Sequence, residues 1–155
     1  MRLWVLVALF AFIVVSAAPA AHSQTTKGWS LAIIVNKKNP VNTITQSELA
    51  NIFLDKKSVW SAGMTIQTCD LIEPGVSEEN SARAIFAEHI LHKDMLSLKN
   101  YWIKMIFSAK RRPPVAFKHA DDVIRFVSEN PGGIGYVYAN QVTGNVKTVQ
   151  VRFND

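Results

Sequence analysis

The stretch LAIIVNKKNPVNTITQSELANIF, residues 31–53, decides the fold class. It continues an apolar, β-branched run at residues 29–35, which is typical of a strand buried on both faces of a sheet. A turn-rich loop at residues 36–42 follows this run. The stretch ends in a helical pattern, and the succession of strand, loop and helix predicts an α/β domain.

The helix in this stretch begins at a capping box. Thr45 can accept a hydrogen bond from the amide of Glu48, while the Glu48 side chain reaches back to the cap. Ile44 and Leu49 fit a hydrophobic staple across the same turn. We therefore predict that the helix starts directly after Thr45.

The rest of the chain alternates between strand and helix patterns. Apolar runs predict strands at residues 64–72, 115–118, 134–139 and 146–153. Apolar residues at helical spacing predict helices after a cap at Ser77, at about residues 96–107, and at residues 121–129. This order predicts a mixed, mostly parallel sheet with helices on both faces, ending in an antiparallel hairpin of the last two strands.

The N-terminus has the pattern of a secretion signal. Arg2 is followed by an apolar run at residues 3–15 and by small residues up to Ser23. We predict a signal peptide at residues 1–23, cleaved before Gln24, although the triplet at residues 18–20 also fits cleavage. An uncleaved membrane anchor is the alternative, but a bilayer core requires about 20 apolar residues. We therefore expect a periplasmic protein with one domain, residues 27–155, and no stable membrane span after cleavage.

Composition narrows the classes of function. The chain has a formal net charge of +5, which favours anionic partners in general. Cys69 is the single cysteine, so no internal disulfide can form; a buried small hydrophobe and a reactive thiol are both open readings. His89 and His92 lack a third ligand, so no metal site is predicted. The sequence contains no nucleophile elbow, Walker loop or dinucleotide fingerprint, so we predict neither an enzyme nor a cofactor.

Three segments resemble known exported proteins. Residues 31–53 and NPGGIGYV, residues 130–137, resemble the phosphate-binding proteins that serve ABC transporters. YWIKMIFSAKRRPP, residues 101–114, is similar to a group of exported single-domain proteins related to those receptors. The resemblance implies the fold of one lobe of a type 2 periplasmic binding protein. It also implies a solute-binding role toward phosphate or another small anion.

The resemblance also indicates where an anion would bind. In these receptors the anion lies between two lobes and contacts helix N-termini, hydroxyl groups and an arginine, and this chain matches the second lobe alone. The family's Ser-Gly-Thr motif falls at residues 80–82, ahead of Phe86, where only a displaced serine remains. The candidate ligand-binding residues are Ser77, Asn80, Ser81 and Arg83. The alternative is an ordinary helix cap with an exposed arginine, where Glu78 and Glu79 repel anions.

Two further features carry predictions. Lys110, Arg111 and Arg112 form a possible contact patch, which is either a solvated loop or a surface for an acidic partner, anionic lipid or anionic ligand. The patch lacks interleaved aromatic residues, so we do not expect nucleic-acid binding. Gly135 lies within a predicted strand, which indicates that another chain segment approaches closely there.

Two functions therefore remain open. The first is an exported solute-binding domain of the phosphate-receptor type. The second is a non-transport interaction module of the envelope that has lost ligand binding and contacts an envelope protein or a second copy of itself.

Overall fold

A computed structural model describes residues 30–108 and 111–153 of the chain. The predicted signal peptide and Lys110 lie outside these residues. The described part contains a six-stranded mixed sheet. Its strands are β1 (Leu31–Val35), β2 (Thr43–Thr45), β3 (Gln67–Leu71), β4 (Val115–Phe117), β5 (Gly133–Tyr138) and β6 (Lys147–Arg152). Across the sheet the strands lie in the order β2-β6-β1-β5-β3-β4.

The sheet is mostly parallel, as predicted. β3 pairs in parallel with both β4 and β5, and β2 pairs in parallel with β6. β1 is antiparallel to both of its neighbours, β5 and β6. The predicted hairpin of the last two strands is therefore wrong, because β1 lies between them. The strand β1 is apolar throughout, which suits this central position, and the connection after Tyr138 is long enough to cross it.

Four α-helices cover the sheet in the described residues. They are α1 (Gln46–Phe53), α2 (Ala82–Phe86), α3 (Met95–Phe107) and α4 (Ala120–Glu129). A π-helical turn at Ala87–Leu91 continues α2, and short 3-10 turns lie at Glu78–Asn80 and Ala139–Gln141. None of these helices combines the length and the apolar character needed to cross a membrane.

The helix starts confirm one predicted cap and correct another. Thr45 Oγ1 accepts from the Glu48 amide at 3.2 Å, as predicted, but the Glu48 carboxylate pairs with Lys57. Ser77 precedes only the 3-10 turn and makes no side-chain cap hydrogen bond. The N-cap of α2 is Ser81, whose hydroxyl accepts from the Ala84 amide at 3.2 Å. The predicted cap was thus four residues early, because the 3-10 turn separates Ser77 from the helix.

The two faces of the sheet are packed by different helices. Tyr136 of β5 stacks on Phe86 of α2 with a centroid distance of 4.3 Å and lies 5.8 Å from Phe53 of α1. A side chain at the neighbouring Gly135 would point to the opposite face, because side chains alternate along a strand. A Cβ at Gly135 would lie 3.0 Å from Val123 of α4. Helices therefore cover both faces, as predicted.

Gly135 also confirms the predicted close approach of two chain segments. A Cβ at this position would lie 2.6 Å from Sγ of Cys69, closer than real Cβ contacts. Cys69 is fully buried, and burial raises the pKa of its thiol. The thiol contacts the Ile134 carbonyl at 3.5 Å. Cys69 is therefore a small core residue, and the absent side chain of Gly135 leaves room for it.

Candidate ligand edge of the sheet

The carboxyl ends of three parallel strands define one edge of the sheet, which we call the ligand edge. β3, β4 and β5 end there, and α2 and α4 start there, because each of these helices follows one of the strands. Ligands of open α/β sheets bind at such edges. A shallow, open depression of about 570 Å³ lies here. It is lined by Leu71, Glu73, Pro74, Val76, Lys118, His119, Ala120, Asp121 and Gln141.

At the ligand edge, a side chain of the protein already occupies the start of α2. Oε2 of Glu73 accepts a hydrogen bond from the Ala82 amide at 3.1 Å. The same oxygen accepts from the Tyr138 hydroxyl at 3.3 Å, and partial burial together with the Glu73 charge raises the pKa of Tyr138. Amides at a helix N-terminus attract negative charge. Here the Glu73 carboxylate satisfies one of these amides from within the chain.

Arg83, the candidate charge for an anion, lies against a buried acid. Its Nε lies 3.2 Å from Oδ2 of Asp70, and the two side chains are 24% and 8% exposed. The Tyr136 hydroxyl donates to Oδ1 of Asp70 at 3.1 Å. Burial raises the pKa of Asp70, although Arg83 and the Tyr136 hydrogen bond each lower it. Asp70 and Tyr136 are buried and Arg83 is half-buried, and the three side chains form one polar cluster.

The other candidate ligand residues lie on the turn before α2. The Asn80 amide group donates to Ser77 Oγ at 2.9 Å, and both residues are exposed. Ser81 is buried, and its hydroxyl donates to the Glu78 carbonyl at 2.7 Å while capping α2. The structure thus brings Ser77 and Asn80 together at the surface. Ser81 is instead bonded to backbone groups within its own turn.

The basic contact patch precedes β4, whereas the ligand edge is formed by residues that follow this strand. Arg111 is half-buried, and its Nε donates to the Asp55 carbonyl at 3.2 Å. The Arg112 amide donates to the Asp55 carboxylate at 3.0 Å, and its side chain is exposed. Asp55 takes a positive φ of 53° just after α1. One part of the predicted patch therefore packs on the end of α1, and the other faces solvent.

The remaining polar candidates do not assemble into a metal centre. Nε2 of His92 lies 3.1 Å from Nε2 of Gln46, and Nδ1 of His89 lies 3.0 Å from the Ile85 carbonyl. Within the described residues, no three side chains of His, Cys, Asp or Glu lie close enough together to hold a metal ion.

Sequence reasoning did not predict the roles of Glu73 and Asp70. Glu73 closely follows β3, and residues just beyond a parallel strand are expected at the ligand edge. That position was the available signal. Asp70 lies between the apolar residues Cys69 and Leu71 of β3, and a charged residue there indicates a buried pair or hydrogen-bond network. Neither signal identified the partner, because the pairing depends on tertiary packing.

Solved structures of phosphate-transport proteins share this fold. A phosphate ABC-transport receptor from Vibrio cholerae superposes with a TM-score of 0.59 at 17% identity, covering 79% of this chain and 46% of its own. A putative phosphate ABC transporter substrate-binding protein with bound phosphate, from Clostridium perfringens, gives 0.58 at 21% identity, covering 79% and 44%. PstS from Borrelia burgdorferi gives 0.57 at 18% identity, covering 79% and 47%. The chain has the fold of one lobe of a phosphate receptor.

The likeness confirms the predicted fold class and concerns the fold alone at these identities. The chain spans less than half of the length of these receptors, 44–47% for the three described. No protein-family model and no curated protein sequence matches the chain. The comparison therefore places Glu73, Asp70 and Arg83 in the fold of a receptor lobe and assigns them no role.

Proposed function

We propose that the chain is exported and acts in the envelope as an interaction module built on a receptor lobe, and not as a receptor that captures phosphate. The single observation that carries this proposal is the position of the Glu73 carboxylate, which accepts from the Ala82 amide at the start of α2. Arg83, the nearby cation, pairs with Asp70. The two groups expected to meet an anion are both engaged by carboxylates of the chain.

Electrostatics at the ligand edge support this proposal. An incoming anion would have to displace Glu73 and then lie near Glu78 and Glu79, which are exposed in the preceding 3-10 turn. Like charges in one turn disfavour anion binding by Coulomb repulsion. The same edge exposes Ile72 and Val76, and a protein partner or a second copy would remove these apolar side chains from water.

Binding of phosphate or another small anion is the second candidate function. The shared fold favours it, since one of the similar structures holds phosphate. Thermal unfolding in phosphate, sulfate and chloride at equal ionic strength tests it, because a ligand that binds only the native state raises its stability. We expect no specific stabilisation of the wild-type chain by millimolar phosphate. Clear stabilisation by phosphate over chloride would favour the receptor function instead.

The Glu73→Gln variant sharpens the anion experiment. It keeps a side-chain acceptor for the Ala82 amide but removes the negative charge. A phosphate response in this variant, absent in the wild type, identifies the carboxylate as the group that excludes the anion. Glu129→Gln, on the distant end of α4, is the matched control for a simple change of net charge.

Light scattering and affinity capture from an envelope extract test the module directly. We compare the wild type with a double variant of the ligand edge, Ile72→Asp and Val76→Asp. Val59→Asp is the control, because Val59 is an exposed apolar residue of the loop that follows α1. Loss of a captured partner or of a dimer only in the edge variant supports the proposal. A strict monomer that captures nothing contradicts it.

The predicted export is tested separately. We expect the protein from the envelope fraction to begin at Gln24, which N-terminal sequencing of the purified chain checks. A protein that retains its first 23 residues would contradict cleavage and support the anchor reading.

A further inference from the structure

The outward face of α3 exposes apolar side chains. Leu98 and Trp102 on the inner face of the helix are buried, and Tyr101 and Met105 beside them are partly buried against the core. On the opposite face, Phe107 is 87% exposed and Leu96 is 68% exposed. Since a helix turns by about 100° per residue, Leu96, Ile103, Ile106 and Phe107 lie within one arc as an interrupted stripe, in which Lys99 and Asn100 stand between Leu96 and Ile103. We call this stripe the α3 outer face.

Basic residues accompany the stripe, and acidic residues are missing from this segment. Lys99 lies within the stripe and Lys104 at its border, both are exposed, and Arg112 is exposed in the segment after the helix. No Asp or Glu occurs anywhere from residue 95 to residue 120 of the sequence. The neighbouring carboxylates are Asp94, which caps the start of α3, and Asp55, which accepts from the Arg112 amide. The α3 outer face therefore combines exposed apolar side chains with positive charge.

These properties discriminate between possible occupants. A second copy docking through the same face would bring Lys99 and Lys104 of both copies together, and like charges across an interface are unfavourable. An anionic surface with an apolar interior satisfies both the apolar side chains and the lysines of this face. The most exposed apolar side chain of the face is Phe107, which suits insertion between lipid headgroups. Lysine stems can lie along the apolar boundary while their ammonium groups reach the phosphates.

We propose that the α3 outer face docks the protein on the surface of an anionic lipid membrane. Leu96, Ile103, Ile106 and Phe107 enter the headgroup region, and Lys99, Lys104 and Arg112 contact lipid phosphates. This docking goes beyond the interaction proposed for the ligand edge, which lies at the opposite end of β4 from Arg112. It leaves that edge free to contact a protein.

Vesicle flotation tests the proposal with residues 24–155, a chain that contains every helix and strand of the described structure. This chain also lacks the apolar signal segment, which would bind lipid by itself. The probes are vesicles of phosphatidylcholine mixed with phosphatidylglycerol, and vesicles of pure phosphatidylcholine. We expect flotation with the anionic vesicles, at least roughly ten-fold weaker binding to the neutral ones, and weaker binding at high salt.

Matched variants separate charge from apolar insertion. Lys99→Glu with Lys104→Glu should lower the partition coefficient on anionic vesicles by roughly ten-fold or more. Lys37→Glu with Lys38→Glu is the control of equal charge change on another exposed loop and should change it by less than about three-fold. Ile103→Ser with Phe107→Ser should lower it by roughly ten-fold or more. Val59→Ser, in the loop that follows α1, is the apolar control.

Three outcomes would overturn the proposal. They are no flotation with anionic vesicles, equal binding to neutral vesicles, and equal losses in the α3 variants and their controls. If the α3 variants instead lose a captured envelope protein while the wild type ignores vesicles, this face docks a protein and the lipid proposal is wrong. Circular dichroism of each variant shows that lost binding does not reflect lost folding.

Discussion

The ligand edge and the outer face of α3 differ in the partners of their side chains. At the edge, Glu73 is bonded to the Ala82 amide and to Tyr138, and Arg83 is paired with Asp70. On the outer face of α3, Phe107 and its apolar neighbours are exposed to solvent and bordered by lysines. The start of α2, where the resemblance places the ligand of a receptor, is occupied by the Glu73 carboxylate of the chain itself. The outer face of α3 carries the more exposed apolar side chains, since Phe107 is 87% exposed while Ile72 and Val76 at the edge are 40% and 41% exposed.

The side chains of the two regions are therefore used differently in the folded chain. Charged groups at the edge act on the stability of the lobe, because Glu73 is hydrogen-bonded to the Ala82 amide and Arg83 is ion-paired with Asp70. Exposed apolar groups on α3 contribute little to folding, and their contribution is expected on binding. Substitutions in the two regions should therefore affect different measurements.

The largest expected effect on stability is that of Arg83→Met. The change leaves Asp70 buried without its cation, and breaking a buried ion pair costs about 3–5 kcal/mol. Partial exposure of Arg83 places the expected loss near the lower end of this range. Urea unfolding at neutral pH measures it. If the variant keeps its stability, the pair is not structural, and Arg83 becomes a stronger candidate for contact with a ligand.

The pH dependence of this loss follows from Asp70. The folded-state pKa of Asp70 is raised, so the folded chain holds this proton more tightly than the unfolded chain. Arg83 lowers that pKa, so Arg83→Met raises it further. The loss of stability in the variant is complete above the folded-state pKa that Asp70 has in the variant. It should shrink as the pH falls through that pKa, because a neutral Asp70 needs no cation. The control Asp70→Asn with Arg83→Met removes both charges, keeps an acceptor for the Tyr136 hydroxyl, and should recover most of the neutral-pH loss.

The packing beneath the edge predicts the next largest effect, at Gly135. In Gly135→Ala the added Cβ would lie 2.6 Å from Sγ of Cys69 and 3.0 Å from Val123, so the core must shift. Such overpacking costs about 1–3 kcal/mol, again measurable by urea unfolding. Gly144→Ala is the matched control, since its added Cβ would meet nothing within 4 Å. Equal stability of the two variants would mean that the core beneath the edge is not tightly packed.

The sequence predicted the elements whose signals are local. The Thr45 cap, the buried β1 and the close approach at Gly135 each depend on a residue type and its near neighbours, and the structure confirms all three. The position of β1 between β5 and β6 was missed, because strand order depends on which apolar surfaces meet across the whole sheet. The short strand β2 was missed because its residues also fit the start of a helix.

The candidate site was harder to predict for the same reason. Ser77, Asn80, Ser81 and Arg83 are adjacent in sequence, and sequence reasoning placed them together at a helix start. Whether Arg83 faces a ligand or Asp70 depends on a partner 13 residues away on β3. The contact between Glu73 and Ala82 likewise depends on how the loop after β3 folds back. Sequence therefore located the region, and tertiary packing determined which groups remain available.

A smaller loss of stability is expected for Glu73→Ala. The variant removes the acceptor of the Ala82 amide and the favourable charge at the start of α2, together worth about 1 kcal/mol. Glu79→Ala, in the exposed 3-10 turn nearby, is the control and should change stability by less than about 0.5 kcal/mol. Urea unfolding of both variants, without added anions, decides between them. Indistinguishable curves would mean that Glu73 does not stabilise the edge.

The smallest effect on stability is expected for Phe107→Ser on the outer face of α3. The side chain is 87% exposed and loses almost no packing, so unfolding should change by less than about 0.5 kcal/mol. Leu98→Ala on the inner face of the same helix is the reference and should cost about 2–5 kcal/mol. A large loss in Phe107→Ser would show that this face packs within the folded chain. A negligible loss of stability combined with weaker vesicle binding would assign Phe107 a role in docking. Replacing a side chain that does not contribute to folding weakens binding and leaves stability unchanged.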